Sequence, residues 1–469
     1  MTDQGDFAVF AARMHAEGLP DVVVRTFAYY YDQLRLGSTG LVPESELAPV
    51  EDLPDAETFG GDLAAIGRDA LRQTVLLKLN GGLGTSMGLE RAKSLLVVKR
   101  DLTFLDVIAR QALGSDVPLV LMNSYNTRDD SLAILRRYPE LWGEIPLDFL
   151  QHKVPKVVQA DLSPAIWPAN PALEWCPPGH GDIYTALITS GMLDTLLSRG
   201  YRYVFVSNSD NLGAVLDPHI LGYFVRGRLP FMMEVTDRTE VDRKGGPLVR
   251  RAGDGRFLLW ESALCPPEDQ AAFQNIARHR YFNTNNLWLN LPALAATLEA
   301  QGGILGLPMI RSKKTIDPRD PTSTPVYQIE TAMGAAIGVF EGAAAIRVPR
   351  TRFAPVKTTD DLLAVRSDAY VLTGDYRIIV NPDRQGGPVV VALDDRYYRL
   401  IDGLEQRFPL GAPSLVECEK LIVAGDIAFG RDVVLRGTVH LVNDTDRQTT
   451  VEDGTVIYGG EGSRFLIYR

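Results

Sequence analysis

Four glycines within eight positions, Gly81, Gly82, Gly84 and Gly88, with Lys93 close behind, form the stretch of this chain best suited to anion chemistry. A backbone so poor in Cβ atoms turns sharply and can aim successive N–H groups at one anion, and the lysine returns positive charge. A Walker loop would place glycine directly before that lysine, but Ala92 stands there, so the match fails. Gly82-Leu83-Gly84 with Gly88 is also a loosened dinucleotide fingerprint. That motif needs a crossover helix before the next parallel strand, and Ser94 to Val98, SLLVV, follows too soon to leave room for one. A glycine-rich turn without a ligand stays open on the loop alone.

Other residues have chemical potential in their own settings. Asp210 lies in Ser207-Asn208-Ser209-Asp210-Asn211, just past the apolar run Tyr201 to Val206. A carboxylate beyond the C-terminal end of a central strand can hold a hard cation against phosphate oxygens, and the same residue type also builds Asx turns. His180, flanked by glycines in Pro177-Pro178-Gly179-His180-Gly181-Asp182, reads equally as a ligand contact or a solvated loop histidine. Asn283-Thr284-Asn285-Asn286 abuts Leu287-Trp288; asparagine suits hydroxyls that both donate and accept, and it also suits a turn before a strand. Pro355 holds its segment extended so that Lys357 projects, while Thr359 or Asp360 caps the next helix.

The elements that must position these groups are legible from periodicity. Thr74 to Leu79 is a buried strand running into the glycine loop, and Pro118 to Asn123, Asp148 to Val154, Tyr201 to Val206 and Phe231 to Val235 read as further strands. Helices are expected over Asp129 to Tyr138 and over Ile183 to Leu197, the latter capped by Asp182 and closed by Gly200. Gln328-Ile329-Glu330-Thr331 is expected to start another helix. Such alternation predicts a mostly parallel α/β sheet whose ligands gather at the carboxyl ends of its strands.

Ahead of this core, Phe7 to His15 and Asp21 to Leu36 form a helical hairpin, with Val23, Phe27, Tyr30, Tyr31 and Leu34 as one apolar stripe. Pro43, Pro49 and Pro54 among acidic residues make an extended connector. Beyond Gln385, Leu421, Ile427, Val433 and Val439 recur every six residues, and Val423, Phe429, Leu435 and Leu441 form a second register. Period six with glycines between is expected of a parallel β-helix, whose open end another subunit can cover, while an ordinary antiparallel sheet, which would show period two, is the alternative. The division is therefore 1–71, helices and connector; 72–384, core; and 385–469, β-helix.

Composition bounds the function. A 469-residue chain of net charge −11 lacks the basic face that general nucleic-acid binding needs, so an anionic substrate would be held by a few local cations and a metal. Cys176, Cys265 and Cys418 are odd in number and contain no CxxC pair, which fits reduced thiols in a cytoplasmic protein. No apolar run approaches the roughly 20 residues of a membrane span.

With these residues in view, a resemblance is plain. Leu79 to Gly88 followed by Lys93-Ser94, together with PPGHGDIY, SNSDNLG, NTNNLW and PVKTT, resembles the eukaryotic-type UTP–glucose-1-phosphate uridylyltransferases. The family usually has proline before that lysine, where this chain has Ala92, and a basic neighbourhood where it has Glu90. The resemblance implies a Rossmann-like nucleotidyltransferase core with N-terminal helices and a C-terminal left-handed parallel β-helix that makes a homo-oligomer. It implies that Leu79, Asn80, Gly81, Gly82 and Gly84 hold the nucleotide, with Gln151 and Gly179 reading the uracil edge. His180 and Asn208 would meet the sugar phosphate, and Gly246, Glu261, Asn283 and Asn285 the sugar. Asp210 would hold Mg²⁺, and Lys93 and Lys357 would be catalytic. The implied reaction makes UDP-glucose and pyrophosphate from UTP and glucose 1-phosphate. A broader UDP-sugar or UDP-N-acetylhexosamine pyrophosphorylase, and a non-catalytic assembly subunit of the same fold, are the alternatives.

Overall fold

The computed structural model describes residues 4–460 and 462–466. At its centre is a seven-stranded sheet: β1 (Thr74–Asn80), β2 (Leu119–Asn123), β3 (Asp148–Leu150), β4 (Tyr203–Asn208), β5 (Phe231–Asp237), β6 (Tyr281–Asn290) and β7 (Ala344–Arg347), in the order β7-β5-β6-β4-β1-β2-β3. Neighbours are parallel except at β6, which runs against both β4 and β5. Both faces are covered, so the strands are apolar on both sides. Leu76 and Phe205 face a core with Phe104, Ile108, Phe224 and Trp288, while Val75, Leu77, Val204 and Val206 face a second with Tyr184 and Leu187.

The expectation about the crossover is corrected. A helix, Phe104–Ser115, does connect β1 to its parallel neighbour β2. It starts late because the chain first makes the glycine loop and a small hairpin, Val97–Lys99 with Leu102–Thr103, before Thr103 and Asp106 close a capping box. What the chain lacks is a glycine turn opening directly into a helix.

Five local expectations also change. The helix expected over Ile183 to Leu197 is two, Ile183–Thr189 and Met192–Ser198, parted at Gly191. Asp182 does not cap the first, because its carboxylate accepts from the His152 N–H at 2.7 Å and lies 2.9 Å from Nδ1. Gln328 to Glu330 belongs to a strand, Pro325–Glu330, pairing antiparallel with Ile310–Thr315, so a distant partner overrides the local helical reading. The helix after Lys357, Thr359–Arg366, is capped by Thr358 in a capping box with Asp361. Asn283 to Asn286 lie within β6, not before it, where the register with β5 shifts between Glu234 and Val235 and Asn285 takes a φ of 57°.

The N-terminal helices are Gln4–Ala16 and Asp21–Arg35, and their apolar stripe packs with Phe10, Met14, Val154 and Ile329. The connector is not wholly extended: Leu47–Pro49 pairs with Leu248–Arg251, and the helix Gly61–Ala70 lies on Pro218–Arg226. A Cβ on Gly67 would fall 1.8 Å from the Pro218 carbonyl oxygen, and one on Gly222 1.8 Å from that of Leu63. In the C-terminal region Val390–Leu393, Cys418–Ala424 and Val434–Val442 form a parallel ladder, and Ile427–Phe429 pairs in parallel with Thr449–Val451. All eight period-six residues are buried, with Leu421 beside Val439 and Val423 beside Leu441. Among the described residues no helix is long and apolar enough to cross a membrane.

Candidate active site

The parallel strands deliver the singled-out residues to one edge. Ser209 N–H donates to the Leu79 carbonyl at 3.1 Å, drawing the turn after β4 against the end of β1. The glycine loop leaves β1, turns at Gly84 (φ 68°) and Gly88 (φ 74°), and returns so that Lys93 N–H reaches the Gly82 carbonyl at 3.1 Å. Lys93 Nζ then lies 3.0 Å from Asp210 Oδ2, and Lys357 Nζ reaches the same oxygen at 2.7 Å from the opposite side in sequence. Lys93 Nζ also donates to the Val356 carbonyl.

Asp210 carries the electrostatics of this cluster. Burial pushes its carboxyl up, but Lys357 and Lys93 outweigh burial and hold it below the ordinary carboxylate range. Its other oxygen, Oδ1, is buried and has no hydrogen-bond partner among the described residues. A buried carboxylate oxygen without a donor is what a hard cation would occupy. No group of three or more His, Cys, Asp or Glu residues surrounds it in the described structure. A cation there would draw its remaining ligands from substrate oxygens and water, as Mg²⁺ commonly does.

His180 stands beside this cluster. Gly179 permits the close turn, since a Cβ there would lie 2.4 Å from the Thr331 carbonyl oxygen. Met333 N–H donates to His180 Nδ1 at 3.0 Å, so the neutral ring carries its proton on Nε2. Burial, seconded by Lys357, lowers this imidazole to about 4, keeping it a neutral donor. Gln151 follows β3 and lies against the loop, its amide 2.9 Å from where a Gly81 Cβ would be.

A second group gathers on β6. Glu261 Oε2 lies 2.8 Å from a Cβ built on Gly246, and Asn283 Nδ2 donates to Asn285 Oδ1 at 2.9 Å. Burial raises the Glu261 carboxyl above its ordinary range. Leu79 and Asn208 pair across β1 and β4 at the same edge. Asn80 is different: its side chain is buried and donates to Asn123 Oδ1 at 2.8 Å and Ser131 Oγ at 2.7 Å, so its amide is committed to the core.

Several contacts at this edge are not legible from sequence. Asp182 ties His152 and hence Gln151 to the glycine-histidine turn, and His152 Nε2 lies 2.9 Å from Thr189 Oγ1. That arrangement superficially resembles a nucleophilic triad, but Thr189 Oγ1 is committed to the Thr185 carbonyl of its own helix. Glu234 and Arg352 form a buried ion pair beneath the cluster, with side-chain exposures of 0% and 8%. Glu234 was discoverable, because a charge inside the apolar run Phe231 to Val235 implies a buried partner.

Comparison with known proteins gives the family. A family model described as UTP–glucose-1-phosphate uridylyltransferase matches residues 31–436. A protein of that name from Solanum tuberosum is 40% identical over 425 residues, covering 89% of this chain and 84% of that one. One from Saccharomyces cerevisiae is 40% identical over 395 residues, covering 82% and 77%. Among solved structures, the UDP-glucose pyrophosphorylase of Leishmania major, known in open and closed forms, superposes with a TM-score of 0.91 at 44% identity, covering 98% of this chain and 99% of that one. The UDP-glucose phosphorylase of Trypanosoma brucei gives 0.89 at 44%, covering 99% and 100%.

Proposed function

This chain belongs to the UTP–glucose-1-phosphate uridylyltransferase family, and from that premise we propose how its residues divide the work. The enzyme makes UDP-glucose and pyrophosphate from UTP and glucose 1-phosphate. A phosphate oxygen of glucose 1-phosphate attacks the α-phosphorus of UTP in line; the new O–P bond forms as the bond to the β-phosphate oxygen breaks, and pyrophosphate leaves with the electron pair. The nucleophile is already an anion at neutral pH, so neither a general base nor a covalent enzyme intermediate is needed. The difficulty is bringing anions together, which favours preorganised cations over proton chemistry.

The convergence of Lys93 and Lys357 on one oxygen of Asp210 carries this reading. Before substrate enters, Asp210 keeps both ammonium groups converged. In the complex the two lysines turn to phosphate oxygens, Lys93 from the side of the glycine loop and Lys357 across the α-phosphate. The loop Leu79 to Gly84 holds the nucleotide through backbone N–H groups, and Gln151 with Gly179 reads the uracil edge. His180 Nε2–H and Asn208 contact the sugar phosphate, while Gly246, Glu261, Asn283 and Asn285 bound the sugar. Mg²⁺ would be held by Asp210 through Oδ1, and when bound it would neutralise charge shared between the reacting phosphates.

The organisation we propose is 1–71, 72–384 and 385–469. The C-terminal parallel strands are a left-handed β-helix that associates with another copy, and the protein works in the cytoplasm. Parallel pairing at period six and buried apolar registers support the β-helix.

The deciding experiment measures pyrophosphate release with a panel of sugar 1-phosphates and nucleoside triphosphates, with and without Mg²⁺. UTP with glucose 1-phosphate is expected to dominate, with the rate lost in chelator. Comparable rates with several sugars would favour the broader pyrophosphorylase, and no release with any would leave the non-catalytic subunit.

A further inference from the structure

The segment that brings Lys357 to Asp210 is not free to wander, and the group that holds it is Asn211. Asn211 Nδ2 donates to the Arg352 carbonyl at 3.1 Å, and its Oδ1 accepts from Ala354 N–H at 3.0 Å. One amide thus clasps the backbone on both sides of Phe353. Next along, Val356 N–H donates to the Asp210 carbonyl at 3.1 Å. The approach is close throughout, since a Cβ on Gly213 would lie 2.4 Å from the Thr351 carbonyl oxygen.

The clasp is anchored from below. The Arg352 guanidinium meets Glu234 with two bonds of 2.8 Å, and Nη2 also donates to the Val215 carbonyl at 2.9 Å. Glu234 accepts further bonds from Trp288 Nε1 and Asn286 Nδ2, both at 2.9 Å, so its carboxylate has four donors. Asn286 Oδ1 in turn lies 3.3 Å from Asn211 Nδ2. Asn211 is 1% exposed and Asn286 0% exposed, so neither side chain is available to a substrate. A buried polar network satisfied to this degree rigidifies what is attached to it.

We propose that Asn211, seated on the Glu234–Arg352 pair, is a positioning residue for transfer: it sets where Lys357 stands relative to Asp210 and the α-phosphate. This rests on the reading of Lys357 as the cation that stabilises charge in transfer. Cations act by preorganisation, and a displacement of about 1 Å can cost on the order of a hundred-fold in rate. Binding of UTP through the glycine loop does not depend on the clasp.

The test is a double-mutant cycle on the full chain, built from Asn211→Ala, Lys357→Ala and both together. Asn211→Asp joins it as a same-shaped variant that keeps the acceptor for Ala354 N–H but sets a carboxylate against the Arg352 carbonyl. kcat, KM for UTP, UTP Kd and Tm are read for each. Both Asn211 variants are expected to lose about 10- to 100-fold in kcat with UTP Kd within about threefold. The double variant should be no slower than Lys357→Ala alone, within about threefold. Multiplicative losses, or a lowered Tm with kcat unchanged in Asn211→Asp, would make Asn211 merely structural and overturn the proposal. A silent Lys357→Ala would overturn the reading of Lys357 and the clasp's purpose with it.

Discussion

Replacing Lys357 by alanine separates binding from catalysis more cleanly than any other change at this edge. Lys357 is 55% exposed along its side chain, and its ammonium pairs with the Asp210 oxygen that Lys93 also holds. Its removal leaves the largely buried Asp210 carboxylate still paired with Lys93, and the half-exposed Lys357 end contributes only about 0–1 kcal/mol, so Tm should shift by no more than a few degrees. On the proposed reading the nucleotide keeps the backbone N–H groups of the glycine loop, Lys93 and any cation held by Asp210, so its Kd should change by less than about tenfold. On that reading the transition state loses the lysine proposed to face the charge shared across the α-phosphate. Loss of one such preorganised donor costs about 2.7–4 kcal/mol, on the order of a hundred- to a thousand-fold in kcat. The assay is the initial rate of pyrophosphate release at saturating substrates, beside UTP Kd from calorimetry without sugar phosphate. Equal losses in kcat and affinity would make Lys357 a simple binding residue, and an unchanged kcat would leave it an ordinary solvated lysine.

Asp182→Asn weakens the carboxylate that clamps His152 to the glycine-histidine turn, and with it the setting of Gln151. KM for UTP should rise about tenfold and discrimination against other nucleoside triphosphates narrow, while kcat changes little; a kcat loss with intact discrimination would count against this role. His279 is buried with neither ring nitrogen partnered among the described residues, and burial lowers it to about 4. The unfolded chain therefore binds a proton near pH 6.5 that the folded chain refuses until near pH 4, and stability falls through that window as pH drops, by up to about 1.4 kcal/mol per unit from this group. Denaturant titrations at pH 7 and pH 5 should show a smaller acid loss in His279→Phe than in the parent, and identical losses would reject the attribution. Association through the C-terminal strands predicts a mass above the monomer by light scattering at micromolar concentration; Tyr458→Asp, at a side chain exposed in one copy, should reduce it, and a monomeric parent would end the idea.

How much could be read beforehand depended on whether the deciding partner was near in sequence. The strand Thr74–Asn80 and the period-six registers were legible because each follows one local pattern. The helix Phe104–Ser115 is not legible from the loop, because it starts only after a hairpin that carries no strong turn signal of its own. Gln328 to Thr331 reads locally as a helix start, yet the state of Pro325–Glu330 is decided by pairing with Ile310–Thr315. At the site, the string PVKTT pointed to Lys357, but Asn211 and Asn286 look like any loop asparagine until Arg352 and Glu234, distant in sequence, are set beside them. Asn80 shows the converse, since its place in a glycine-rich loop suggests a ligand contact whereas its amide faces inward.

The crossing of Gly61–Ala70 over Pro218–Arg226 implies a pattern of mutational tolerance unrelated to catalysis. At Gly67 and Gly222 the carbonyl of one helix occupies the space a methyl group would need on the other, so the two backbones touch without side chains between them. Even alanine, which favours helices elsewhere, would force the pair apart. In a saturation library selected for function, these two codons would be depleted of every substitution as thoroughly as those for Lys93 or Asp210, although no substrate touches them. Assays of soluble yield would separate the two kinds of depletion, with the glycine variants scarce in soluble protein and the site variants abundant but inactive.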